Sequence, residues 1–271
     1  MNAHPHGQAY GGAQVHPSAQ IHPSATLAAD VKIGAFSVIG PHCEIGAGTE
    51  IGSHVVIDKW TRIGRNNRIF PFASLGADPQ DKKYGGEETW LEIGDNNTIR
   101  EFVTFNRGTV QGGGRTRLGH NNWIMANVHL AHDCLVGDDN VFANNASLAG
   151  HVVVGNRVTF GGYALIYQFV RIGDLAMVAF SAGVKQNVPP FALVEGYDAR
   201  LKGINQEGLR RRNYSEAEKK AIKEAYQRLY YDNLLLAEAR AELQPLAARS
   251  PAVAQLAEFI GHSDKRGLIR P

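Results

Sequence analysis

The chain has only two cysteines, Cys43 and Cys134, in no spaced framework, which excludes a disulfide scaffold and suits a reducing compartment. It has no apolar run approaching membrane-spanning length, so membrane insertion is not expected. Neither sign of charge is in marked excess. With 28 Lys+Arg against 26 Asp+Glu, net charge announces no nucleic-acid partner. The N-terminal stretch, rich in His, Gly and Pro, lacks a basic region followed by an apolar one and is not a secretory signal. Residues 1–14 read as a disordered leader, and the expected location is the cytoplasm. Aromatics are scarce at 8%, whereas glycine, at 30 residues, is plentiful and points to many tight turns.

An internal period decides the fold class. From Val15 an aliphatic or Phe residue recurs every six positions through Ile21, Ile33, Ile45 and Ile57 to Leu75, resumes at Ile93, Ile99 and Phe105, and runs unbroken from Leu118 to Val184. Glycine often follows it, as at Gly34, Gly46, Gly64, Gly119 and Gly155, and a small or β-branched residue lies four positions on, as at Ser37, Thr49, Val128 and Ala146. A period of six fits neither an amphipathic helix nor an alternating hairpin strand. One short strand and one turn per hexad, with three hexads to a triangular coil, predicts a parallel β-helix whose coils stack at about 4.8 Å. The aliphatic and small residues point inward, and glycine relaxes the corner. Resemblance to the hexapeptide-repeat family implies the left-handed form, an exception to the usual crossover rule.

The predicted β-helix occupies 15–190, with protruding loops near 76–92 and 111–116 where the period breaks. Beyond Pro189 and Pro190 the pattern changes. Ser215 and Glu218 form a capping-box signature ahead of a helical run, and Ser250-Pro251 opens a final short helix, so 191–271 reads as a small helical domain.

Both cysteines fall at inward positions of their hexads, which favours structural burial over nucleophilic catalysis. No Ser-His-Asp order is present, so chemistry through a covalent intermediate on the chain is not expected. Of the histidines, one group stands out. His129, His132 and Asp133 lie in adjacent hexads, and adding one coil of 18 residues places Gly150 over His132 and His151 over Asp133, with Gln168 a further coil on. Three readings of this polar column remain open: a solvated corner, a metal site, and a general base in which neutral His132 takes a proton while Asp133 orients it. The third is preferred, with no metal and no cofactor. A flat β-helix face cannot enclose a substrate by itself, which leads to the expectation of a homotrimer with sites at subunit boundaries.

Several longer stretches are more specific than the hexad: Phe-Pro-Phe-Ala-Ser-Leu-Gly (70–76) with Pro-Gln-Asp-Lys-Lys-Tyr (79–84), Arg-Gly-Thr-Val-Gln-Gly-Gly-Gly (107–114), Ala-His-Asp-Cys (131–134), Asn-Asn-Ala-Ser-Leu-Ala-Gly-His (144–151), Asn-Val-Pro-Pro (187–190), Gly-Ile-Asn-Gln-Glu-Gly-Leu-Arg-Arg-Arg (203–212) and Gly-Leu-Ile-Arg (267–270). Through them the chain resembles the acyl-carrier-protein:UDP-N-acetylglucosamine acyltransferase family, which acts first in lipid A biosynthesis. The resemblance implies His132 as general base for the sugar 3-hydroxyl, Asp133 as its partner, and the Gly150 N–H as oxyanion donor. It also implies His129 and Gln168 against the acyl group, His151 lining the site, and Gln80, Asp81 and Lys83 on the amino sugar and its phosphate. Asn205, Glu207, Arg211 and Arg212 would read the uridine diphosphate. The partners implied are an acyl carrier protein, the UDP-amino sugar and two further copies of the chain. Between Arg200 and Arg228 nine basic residues face four acidic ones, a surface suited to an acidic carrier protein.

Two positions depart from the family pattern. Asn106 precedes Arg-Gly-Thr where His is common, and Tyr167 precedes Gln-Phe where His is common. They raise the alternative of a 3-amino sugar acceptor, acylated on nitrogen. A non-catalytic scaffold is the other alternative. A bulky Phe180, where long-chain members often carry glycine, leads to the expectation of a medium-length 3-hydroxyacyl donor.

Overall fold

The computed structural model describes residues 11–262 and 266–271. Residues 1–10, most of the expected leader, lie outside the described residues, and the first strand already begins at Gln14. Strands mostly two residues long assemble into three sheets, each taking every third strand of the coil region in parallel register: Gln14 pairs with Lys32, Gln20 with Val38 and Thr26 with Glu44, each one coil of 18 residues away. This is the left-handed parallel β-helix expected from the hexads. From Ile33 onward the inward residue of each coil strand, such as Ile39, Ile57, Leu75, Phe105, Leu130 and Leu148, is buried, and each contributes about 1.5–3 kcal/mol of hydrophobic stabilisation.

The corners work differently from the sequence expectation. The glycine after each aliphatic does not supply the turn's positive φ; it permits close approach of the coils. A Cβ at Gly34 would lie 2.6 Å from the Gly52 carbonyl carbon, and one at Gly137 2.7 Å from the Gly155 oxygen. The left-handed conformation falls two residues later, on Phe36, His54, Asn66, Asp133 and His151, at φ between 55° and 63°. One inward column also departs from the small-residue pattern. Asn67, Asn97, Asn122 and Asn140 stack there, each Oδ1 accepting the backbone N–H of the residue one coil on. A buried polar column whose side-chain oxygens all accept in this way fixes coil register.

The first loop is narrower than the period break suggested, and the second, at 107–114, is longer and begins earlier. Strands cover Ser74–Ala77 and Trp90–Ile93, leaving 78–89 as the first loop. In the second, Val110–Gly112 forms a 3-10 turn and the strand Arg115–Leu118 follows, so Thr116 belongs to a sheet. The helical tail also starts later than residue 191. Ala192–Glu195 extends the first sheet in parallel, and Arg200–Ile204 closes its edge antiparallel. Helices α1 (Gln206–Arg211), α2 (Glu216–Tyr230), α3 (Leu236–Ala247) and α4 (Pro251–Gly261) follow. Ser215 caps α2 by accepting from the Glu218 N–H, whereas the Glu218 carboxylate accepts from the Ser250 hydroxyl at the start of α4 instead of closing the box. Ile222, Ala225, Tyr226 and Leu229 form the buried face of α2, and the Tyr226 hydroxyl donates to the Pro190 carbonyl at 2.6 Å, fastening the helices to the last coil. Among the described residues no helix is long and apolar enough to cross a membrane.

Candidate active site

The corner joining the second sheet to the third carries the polar column. Unbroken register from Leu118 onward stacks Asp133 and His151 one coil apart, both in the left-handed conformation, and the backbone bond from His151 N–H to the His132 carbonyl joins the two coils. Gly150 sits under His132 so closely that a Cβ there would lie 2.7 Å from the imidazole Cε1. The Gly150 carbonyl accepts from Phe169 N–H, and its own N–H has no acceptor among the described residues. Gln168, next on the column, is exposed.

His132 Nδ1 and Asp133 Oδ2 are 2.7 Å apart. A carboxylate only accepts, so the proton of neutral His132 sits on Nδ1 and Nε2 presents a lone pair. His151 Nε2 is 3.6 Å from the same carboxylate oxygen, and its ring meets His132 edge-on at 5.2 Å and stacks on Phe169 at 4.4 Å. The potential metal donors of His132, Asp133 and His151 lie within 4.8 Å of one another, but the Asp133 carboxylate is already engaged. It is buried and held on every side: Thr109 gives its backbone N–H to Oδ1 and its hydroxyl to Oδ2, both at 2.7 Å, and the Asp133 N–H donates to Thr116 Oγ1 at 2.8 Å. A Cβ at Gly112 would overlap the carboxylate. The second loop therefore clamps the Asp133 carboxylate through Thr109 and Gly112, while Thr116 of the following strand holds its backbone, roles that sequence reasoning missed. The break in hexad period was their only signal.

His129 lies on the adjoining sheet face, with Nδ1 2.8 Å from Thr104 Oγ1. Burial lowers its proton affinity, with the nearby His132 acting in the same direction. Burial likewise lowers that of His151, against an opposing pull from Asp133 and Asp81. Both imidazoles are thus biased towards the neutral form. The first loop joins Ser74–Ala77 of the second sheet to Trp90–Ile93 of the third, so it leaves the same corner that carries His132. Beside His129, Ser147, Leu165, Tyr167, Lys185 and Tyr197 line a largely apolar cavity of about 550 Å³. Tyr167 is half exposed beneath the Arg266 guanidinium, 4.6 Å from its ring. Cys134, by contrast, is fully buried, and burial pushes its thiol up to about 12; Cys43 is pushed to about 11. Neither is a nucleophile.

The other expected site residues divide between the first loop and the remaining corners. Gln80 and Lys83 are exposed on the first loop. Asn106 is buried beneath that loop, its Nδ2 donating to the Asp78 carbonyl at 2.9 Å, so it touches the loop and not the open face. Asn205 caps α1, accepting from Gly208 N–H and donating to the Leu175 carbonyl at 2.8 Å. Both ends of its amide serve the fold, at the corner joining the third sheet to the first. Glu207 accepts from Arg210 and Arg211 at 2.7 Å, and these two guanidinium groups hold its carboxyl down at about 2. Arg212 is exposed at the end of α1. Phe180, 70% exposed, lies on the third corner, with its ring 3.4 Å from a Cβ built at Gly162. The polar column, the α1 residues and Phe180 thus occupy three different corners of one chain.

The profile described as UDP N-acetylglucosamine O-acyltransferase, domain 2, matches residues 187–269, and that of the bacterial transferase hexapeptide repeat matches 24–59 and 115–150. The acyl-[acyl-carrier-protein]–UDP-N-acetylglucosamine O-acyltransferase of Thiobacillus denitrificans is 53% identical over 75% of this chain and 79% of its own length. The enzyme of that name from Neisseria gonorrhoeae is 54% identical over 76% and 79%. Among solved structures, UDP-N-acetylglucosamine O-acyltransferase from Moraxella catarrhalis superposes with a TM-score of 0.93 at 46% identity, covering 94% of this chain and 99% of its own. LpxA from Acinetobacter baumannii gives 0.92 at 44%, with the same coverage.

Proposed function

The chain belongs to the acyl-[acyl-carrier-protein]–UDP-N-acetylglucosamine O-acyltransferase family, and on that premise we propose how its own residues carry out the reaction. It transfers a 3-hydroxyacyl chain from acyl carrier protein to UDP-N-acetylglucosamine, the first step of lipid A biosynthesis. The observation that carries the mechanism is the 2.7 Å contact of His132 Nδ1 with a fully clamped Asp133, beside an N–H of Gly150 that has no acceptor among the described residues.

His132 Nε2 takes the proton of the sugar 3-hydroxyl as its oxygen attacks the thioester carbonyl carbon. Asp133 stabilises the imidazolium that forms. The Gly150 N–H donates to the oxygen that becomes negative, the term that dominates acyl transfer in most enzymes. Collapse breaks the carbon–sulfur bond, and the proton held by His132 passes to the departing thiolate. His129 and the apolar face beside it receive the acyl chain, while Gln80, Asp81 and Lys83 hold the sugar.

The nucleotide contacts of Asn205, Glu207, Arg211 and Arg212 require another copy of the chain, since their corner is not the corner of His132. A closed three-fold assembly brings corners of neighbouring subunits together. The cleft of about 700 Å³ between α1 and α2, lined by Arg210, Lys219, Lys220 and Lys223, suits the acidic carrier protein. Phe180 narrows the acyl path and favours a donor of medium length.

The test is the mass of the product formed from a series of acyl carrier donors with the 3-hydroxy sugar and its 3-amino analogue in competition. An ester of the hydroxy sugar is the expected product. A preferred amide would move Asn106 and Tyr167 to the centre of acceptor choice, and UDP-sugar binding without transfer would leave a scaffold.

A further inference from the structure

Arg107 is one of the largest fully buried side chains, and it is a cation. Its hydrogen-bond partners come from the first loop and its stem. Nη1 donates to the Gly76 carbonyl, and Nη2 donates to the Asp78 carboxylate and, at 3.0 Å, to the Tyr84 hydroxyl. Its backbone N–H donates to the Ala77 carbonyl at 3.0 Å. Asp58 is 3.8 Å from Nη1, and the Trp60 ring lies 5.3 Å from the guanidinium. The Tyr84 hydroxyl, in turn, donates to the Glu87 carbonyl at 2.7 Å.

These contacts bracket a segment. Asp78 stands just before Gln80–Lys83 and Tyr84 just after it, and one guanidinium holds both. Within the bracket, Asp81 accepts from Lys83 N–H through its side chain and from Tyr84 N–H through its carbonyl, both at 3.0 Å, so the segment is a closed turn. Its remaining support is Asn106 on the Asp78 carbonyl and Lys59, 3.8 Å from the Asp78 carboxylate. A buried guanidinium deprived of these acceptors would be left with its full desolvation penalty, so loop and cation keep each other in place. The planar fork spans three acceptors at once, which an ammonium on a flexible stem does not reproduce.

We propose that Arg107 is a positioning residue for the acceptor sugar: by fixing the chain on both sides of Gln80–Lys83 it holds that turn over the His132 corner. The proposal rests on the reading of Gln80, Asp81 and Lys83 as sugar and phosphate contacts. It assigns Arg107 no contact with substrate, and it makes Tyr84 the second point of attachment.

Steady-state kinetics of the full chain with Arg107→Lys and Tyr84→Phe test it, Tyr84→Phe being the safer variant because it deletes one oxygen from a half-buried ring. The KM for UDP-N-acetylglucosamine should rise about 10-fold and about 3-fold respectively, with kcat and the KM for the acyl carrier donor within about two-fold. In a Lys83→Ala background the Tyr84→Phe effect should shrink, because both act through one turn. If Lys83→Ala raises the sugar KM while Tyr84→Phe and a folded Arg107→Lys leave it unchanged, or if their defect is confined to kcat, Arg107 only supports the fold and the positioning role is overturned. If Lys83→Ala and Gln80→Ala are themselves silent, the loop does not read the acceptor, and the site reading falls together with this proposal.

Discussion

The Thr109 hydroxyl donates to Asp133 Oδ2 at 2.7 Å, the same oxygen that lies 2.7 Å from His132 Nδ1. Orientation of the His132 ring is therefore set from the second loop, 24 residues away in sequence. Thr109→Val removes the hydroxyl and keeps the shape, while the backbone N–H still reaches Oδ1. Turnover should fall about 10-fold, in line with the loss of one hydrogen bond to a charged group. Single-turnover rates measure it, and a rate equal to wild type would show that the backbone contact alone suffices.

His132→Ala should lower kcat by about two to four orders of magnitude, the usual worth of a positioned general base. The side chain leaves no core cavity, since it sits at an outer corner above Gly150. The thermal midpoint should therefore move little. A variant that keeps its fold and near-normal turnover would remove His132 from the chemistry.

Stability should depend on pH through His129 and His151. Both have proton affinities lowered from the ordinary 6.5, chiefly by burial. Below 6.5 the unfolded chain takes up protons that the folded chain refuses, so stability rises with pH in that window. Their contribution is complete above 6.5 and is lost as pH falls through the depressed folded values. Chemical denaturation at intervals down to about pH 5 should show this decline, and His129→Gln with His151→Gln should flatten it. An unchanged slope in the double variant would assign the decline to the carboxylates.

Phe180→Gly should shift donor preference towards longer acyl chains. The ring is 70% exposed in one chain and packs edge-on to Tyr163 at a centroid distance of 6.1 Å. At a packed subunit boundary it and additional methylenes would compete for the same volume. Competition between donors of different length, before and after substitution, gives the answer. A wild type that already prefers the longest donor would contradict it.

Much of the polar corner was legible in the residues because a solenoid converts sequence separation into distance. Wherever the hexads run unbroken, adding 18 lands on the neighbour above, which placed Gly150 against His132 and His151 against Asp133. The inward phase within the hexad likewise buried Cys43 and Cys134. It failed where the register breaks. The Thr109–Asp133 and Arg107–Asp78 contacts span 24 and 29 residues, separations that reflect loop insertions and follow no repeat.

The sequence by itself determined the coil, its inward columns and the stacking of the polar corner, because these follow from local period and nearest-neighbour packing. Only the tertiary structure decided how the loops fold back. Their paths are set by buried polar groups, such as the Asp133 carboxylate and the Arg107 guanidinium, that must find partners wherever the chain can supply them. It likewise decided that Asn205 spends its amide on capping α1, and that the α1 residues, Phe180 and His132 lie on separate corners. A one-dimensional period carries no information on which corner a non-repeating tail packs against, since that depends on the shape of the exposed last coil.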